Sequence, residues 1–256
     1  MLAPFWALLM GRSAILALGL IGLVLGLFVV SLLIGPSTAS VGDSTNALIT
    51  GQGGPLSVVM REIRLPRALL GVLIGGSLGL SGAAMQGYLR NPLADPGLIG
   101  VSGSAALGAV LAIQTGLAAI AALALPVMAL GGALLGVLLV VLLAGPRGTS
   151  LALILAGIAI SAFAAALTSL VLNLSPNPYA ANEIVFWMMG SLADRSMTHV
   201  WIALPFLLGG GLLLGSLGRG LDALTLGEDA AEAMGINLLR LRLTVILGTA
   251  AVVGAS

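Results

Sequence analysis

The stretch SAILALGLIGLVLGLFVVSLLI, residues 13–34, decides the fold class. It runs 22 residues (13 to 34) without a charged side chain. A helix rises about 1.5 Å per residue, so about 20 apolar residues cross a bilayer. Arg12 before the run and Pro36-Ser37-Thr38-Ala39 after it have the look of a cleavable signal. The apolar region of such a signal is only about 7–15 residues, so this run is expected to be a retained first span.

Working outward, similar runs recur. Spans are expected at Ala68–Tyr88, Gly100–Ala122, Pro126–Ala144, Leu151–Leu174 and Val200–Leu217. Prolines and polar residues punctuate them: Asn91, Pro92 and Pro96 form a turn, Gly145-Pro146-Arg147-Gly148 a break, and Pro176 and Pro178 a stop. Ile184–Leu192 is too short to cross and reads as a surface helix with Trp187 near the interface. A last run starts near Leu243 and reaches Ser256, too short to span, so the chain reads as C-terminally truncated. The fold class is therefore an all-α polytopic membrane protein, with about six complete transmembrane helices and the start of a seventh in one domain over residues 1–256.

Composition agrees. Apolar residues make up 59% and charged residues 7%, against about 25% charged in a soluble domain. The net charge of +1 offers no basic field for nucleic acid. With no cysteine and the single histidine His199, no metal cage is expected. The cores of the expected spans hold no Asp, Glu, Arg or His. Ion-driven carriers place ionisable groups there, and an intramembrane enzyme needs a catalytic set, so a secondary carrier or channel is disfavoured and no catalytic residue is expected. There is no lysine, hence no G-x-x-x-x-G-K-[ST] phosphate loop, and any ATP with its Mg must bind another subunit.

Orientation follows arginine placement. With the N-terminus inside, the inner segments hold Arg12, Arg90, Arg147, Arg219, Arg240 and Arg242, and the outer ones Arg61, Arg64, Arg67 and Arg195. The outer cluster Arg61–Arg67 runs against the bias and wants a reason. Small residues repeat every fourth position at Gly71, Gly75, Gly79, Ala83 and Gly87, and again at Gly100, Ser104, Gly108, Ala112 and Gly116. Such rows let helices approach closely, so packing is expected rather than a substrate role. The inner segment 218–242 contains Leu226, Gly227, Glu228, Ala231, Met234 and Gly235. The two glycines bracket a short helix with acids at its start, which suits the helix dipole. Composition allows a helix docking in a partner's groove and a solvated loop on the headgroups equally.

Several of these motifs together resemble one family. Arg64-Leu-Pro-Arg67, Gly82 through Gln86, Asn91-Pro-Leu-Ala-Asp-Pro-Gly-Leu-Ile-Gly-Val-Ser102, Phe186-Trp-Met-Met-Gly-Ser191 and Leu226-Gly-Glu…Met-Gly235 look like the FecCD, or type II, permeases of iron-siderophore, haem and vitamin B12 importers. The resemblance runs from about residue 55 onward. It implies a ten-helix permease in the bacterial inner membrane, working as a homodimer with two cytoplasmic ABC ATPase subunits and a periplasmic binding protein. It further implies that Arg64 and Arg67 dock the binding protein, that Leu226–Ile236 couples to the ATPase, and that Thr149 and Ser150 lie near a cytoplasmic gate. For those two a helix N-cap is an equal reading. Ferric siderophore is the expected cargo, with haem and vitamin B12 as alternatives. A membrane scaffold would need neither the outer arginines nor the inner segment.

Overall fold

The structure, a computed structural model, describes residues 5–35, 39–52, 54–121, 123–145 and 149–256, with side chains from residue 14 onward and without that of Pro178. The break at Pro146-Arg147-Gly148, the Pro36–Thr38 stretch and the side chain of Arg12 lie outside the described residues. Among the described residues the regular structure is helical throughout. Five helices are long and apolar enough to cross a membrane: Ala14–Leu33, Pro55–Leu89, Ala124–Ala144, Ser150–Asn173 and Met197–Gly215. They match the first, second, fourth, fifth and sixth expected spans.

The chain divides into two compact units, residues 1–72 with 192–201, and residues 73–191 with 202–256. The first holds α1 (Phe5–Leu33), α2 (Val41–Thr50) and the start of α3 (Pro55–Leu89). Leucines along α1 are exposed on every side, Leu16 at 68% and Leu23 at 57%, as a helix solvated by lipid requires.

Between the first span and the expected start of the second at Ala68, the described residues are largely helical. Ser40 caps α2, its hydroxyl accepting from the Asp43 N–H at 3.1 Å and donating to the Asp43 carboxylate at 2.7 Å. Gly51, at φ 72°, ends the helix in the left-handed conformation. Helix α3 begins at Pro55 rather than Ala68, and its Val59–Arg64 segment is a π-helix in which the Leu65 N–H reaches back to the Met60 carbonyl. Pro66, directly after it, has no N–H to give to the turn before it, a local reason for the wider winding.

In the second unit α4 (Val101–Gln114) packs against α5 (Ala124–Ala144) and α6 (Ser150–Asn173). The third span was expected to reach Ala122, but α4 stops after 14 residues. The Thr115 hydroxyl takes the Leu111 carbonyl at 2.7 Å, and Gly116 turns to φ 73°. At about 1.5 Å per residue α4 alone is shorter than a bilayer core. The turn before it is built by side chains. Asn91 Oδ1 accepts from the Leu93 N–H, and Asp95 Oδ1 from the Gly97 N–H at 2.7 Å, with Pro96 opening a 3-10 turn, Pro96–Ile99.

Glycines set the helix spacing in this unit. A Cβ on Gly108 would strike the Met128 carbonyl, one on Gly132 the Ser104 carbonyl, and one on Gly157 the Leu98 carbonyl. Gly100, at φ 74°, would put a Cβ 3.0 Å from the Gly157 carbonyl. The Gly100–Gly108 row is thus a packing face. The other row behaves differently: a Cβ on Gly75 or Gly79 meets nothing within 4 Å, and one on Gly71 touches only Leu192 at 3.8 Å.

Asn177 caps α7 (Pro178–Met188), which starts six residues before the expected Ile184 (178 to 184) because Pro178 serves as its first residue. Its Ile184 is fully buried with Val110 and Ile113, and Trp187 packs against them. After α8 (Met197–Gly215) come α9 (Gly218–Leu224), α10 (Glu228–Ala233) and α11 (Leu238–Gly254). Ser81 of α3 and Thr249 of α11, both buried, share a hydrogen bond at 3.2 Å.

Candidate functional site: the Gly227–Gly235 segment and the outer arginines

The Gly227–Gly235 segment folds as its glycines require. Gly227 stands before α10 at φ 107° and ψ 160°, a conformation closed to most side chains. At the other end the Gly235 N–H bonds to the Glu232 carbonyl at 2.9 Å and the Ile236 N–H to the Ala231 carbonyl at 3.0 Å. That pair of bonds is a Schellman ending, which needs a left-handed residue at Gly235, here φ 85°.

The structure divides the expected apolar face. Ala231 is fully buried where α10 meets α9 and α11, beside the buried Ala223 and Leu224. Leu226 and Met234 point outward, 69% and 62% exposed, as do Glu228 and Asp229 in the first turn. The outer surface of α10 therefore mixes two large apolar side chains with carboxylates favoured by the helix dipole. Exposed apolar side chains beside carboxylates suit both a helix docking in a partner's groove and a segment lying on the headgroups. Thr149 caps α6, its hydroxyl accepting from the Ala152 N–H at 3.3 Å, with Ser150 the first helical residue.

The arginines of the Arg61–Arg67 cluster have unlike roles. Arg61 donates from Nε to the Leu48 carbonyl at 2.9 Å and from Nη2 to the Ile49 carbonyl at 2.8 Å, closing the end of α2. Arg64 is buried, and its Nη1 donates to the Leu32 and Leu33 carbonyls, each at 3.1 Å, closing the end of α1. Positive charge at a helix C-terminus is stabilising, and the last carbonyls there lack intrahelical donors. Arg67 is exposed. The resemblance gave Arg64 and Arg67 one docking role; the structure places Arg64 inward and Arg67 outward. The helix-capping roles of Arg61 and Arg64 were not anticipated, although Ile34-Gly35 and Thr50-Gly51 marked the two helix ends.

Arg242 was also missed. It donates to the Tyr88 hydroxyl at 3.3 Å and the Gly145 carbonyl at 3.5 Å, joining α11 to the ends of α3 and α5. Its signal in the sequence was a cation and a tyrosine, each at the end of an expected span.

The order of these features matches a known family: residues 23–256 fit the FecCD transport family. The chain belongs to that family. Among relatives, the ferric enterobactin transport system permease protein FepD of Escherichia coli is 39% identical over 255 residues, covering 94% of this chain and 74% of FepD. The cobalamin import system permease protein BtuC of Halobacterium salinarum is 36% identical over 205 residues, covering 78% of this chain and 53% of BtuC. A solved metal-chelate type ABC transporter in an inward-facing conformation superposes with a TM-score of 0.79 at 31% identity, covering 93% of this chain and 73% of that one. The chain thus spans between about half and three quarters of the relatives' lengths. Its fold is the type II permease fold, and as a FecCD family member with several apolar crossing helices it is a multi-pass membrane protein.

Proposed function

We propose that this chain is the membrane permease of an ATP-driven importer, carrying an iron chelate from a periplasmic binding protein to the cytoplasm. The observation that carries the reading is the glycine-bracketed helix α10, with its buried Ala231 and its exposed Leu226, Met234 and first-turn acids. A chain without a phosphate loop needs such a surface to receive work from an ATPase. Two permeases and two ATPases would assemble around one pathway, with Thr149 and Ser150 near its inner end. The permease contributes no bond-breaking chemistry of its own, and ATP with Mg resides on the partner. FepD supports ferric siderophore as the cargo, while the cobalamin permease BtuC supports a corrinoid as the second reading. Transport by the assembled importer with each chelate, supplied on its binding protein, separates the two.

Replacing Gly227 or Gly235 with valine tests the coupling assignment. A β-branched residue at these φ values costs on the order of 1–3 kcal/mol locally and distorts α10. ATPase stimulation and transport are expected to fall together while the binding protein still docks. Full stimulation in both variants would overturn the assignment.

The proposed orientation puts the N-terminus, residues 89–96 and residues 218–242 in the cytoplasm of an inner-membrane protein, with 39–66 and 175–199 outside. Because the chain has no cysteine, single introduced cysteines report the side directly. Asp229→Cys is expected to resist impermeant thiol reagents in intact cells. Ready labelling there would invert the topology.

A further inference from the structure

A cavity of about 340 Å³ opens between α9, the Gly235–Asn237 turn and the first two turns of α11. Its charged lining residues are Arg219 and Arg240, two cations and no acid. The segment is not short of acids: Asp222, Glu228, Asp229 and Glu232 all lie within it, yet none lines the cavity. Both arginines are exposed, as the acids are, so what separates the two signs is position: the cations border the cavity and the acids lie away from it. Neither guanidinium has a hydrogen bond or ion pair among the described residues. Two like charges beside one cavity repel, and an anion between them reverses the sign of that interaction.

We infer that this cavity is a binding site for a phosphate-bearing anion. Guanidinium forks match phosphate oxygens in pairs. The other polar lining groups fit the same ligand. Asn237 spends its Oδ1 on the Arg240 N–H at 2.9 Å, which leaves its amide N–H donors available. The start of α11 adds the positive end of a 17-residue helix. Leu217, Ile236 and Leu241 make the remaining wall apolar, and α11 continues from the cavity as an apolar helix. A phosphodiester headgroup with its acyl chains along that wall satisfies both halves of the lining, and a free phosphate satisfies the polar half. Gly235 ends α10 and also lines the cavity, so occupancy would stiffen the same turn that shapes the coupling helix. The inference rests on this cavity and is independent of cargo and of ATPase coupling.

Phenylglyoxal modification of arginine, read by mass spectrometry on the full chain in nanodiscs, tests it and separates the two sources. Relative to phosphatidylcholine alone, added phosphatidylglycerol is expected to slow modification of Arg219 and Arg240 about fivefold while Arg90, equally exposed but outside the cavity, is unchanged. Slowing of the same pair by inorganic phosphate in phosphatidylcholine discs would identify a soluble anion as the ligand. Arg219→Gln is expected to abolish the protection of Arg240 in either case. No protection by either anion, or equal protection of Arg90, would overturn the site.

Discussion

Gly108→Ala and Gly157→Ala are each expected to lower the stability of the folded chain by about 1–3 kcal/mol or more, the range for overpacking a close-packed contact. The added methyl at 108 meets the Met128 carbonyl, and the one at 157 meets the Leu98 carbonyl with the Ile99 Cα at 2.7 Å. Both obstacles are backbone, so no rotamer change relieves them; α4 must move away from α5, or the Pro96–Ile99 turn away from α6. Within a membrane the loss is not recovered elsewhere, because helix association there depends on close van der Waals contact rather than on the hydrophobic effect. Gly75→Ala is the matched comparison, since its methyl meets nothing within 4 Å in this chain. Thermal unfolding in mild detergent is expected to show a clear drop for the first two variants and little change for the third. Equal melting temperatures in all four proteins would remove glycine contact as the basis of this bundle.

That contrast shows how far the sequence could be read. Apolar length alone placed the spans, because a bilayer imposes one minimum on every crossing helix. The every-fourth-residue rule identified two small-residue rows, yet a row states which residues share a face and not what covers it. Gly100 and Gly108 of one row meet backbone, whereas Gly75 and Gly79 of the other meet nothing and only its ends, Gly71 and Gly87, touch leucine side chains. The glycines on the receiving helices, Gly132 and Gly157 against backbone and Gly136 against the Ser104 side chain, are just as close and are not distinguished by spacing alone. Gly227 and Gly235 were legible because positive φ is a local demand that glycine alone meets cheaply. The shortened α4 was not, since the Thr115 hydroxyl and Gly116 end it inside an otherwise apolar run. The inward turn of Arg64 was hidden for a different reason. It depends on carbonyls 31 and 32 residues away and on a π-helical segment that periodicity rules do not anticipate.

Separating Arg64 from Arg67 is the second large effect. Arg64→Ala is expected to cost about 1.5–3 kcal/mol, the range for hydrogen bonds to a charged group, because the Leu32 and Leu33 carbonyls lose their donor at the end of α1. Gly35 lies against the guanidinium so closely that a Cβ there would collide with it; Gly35→Ala should reproduce part of the loss without touching any charge. Lysine at 64 is expected to recover only a fraction, since a point charge on a flexible stem does not reproduce the planar fork of the guanidinium. Arg67→Glu differs in kind. Arg67 is exposed, so reversing its charge leaves the melting temperature near that of the parent. If Arg67 receives a carboxylate of the binding protein, the variant slows association, and the difference from the parent shrinks as salt screens the pair. Melting in detergent and association rates at two ionic strengths give the two readouts. A parental melting temperature for Arg64→Ala, together with a salt-dependent loss of association, would return Arg64 to the docking surface beside Arg67.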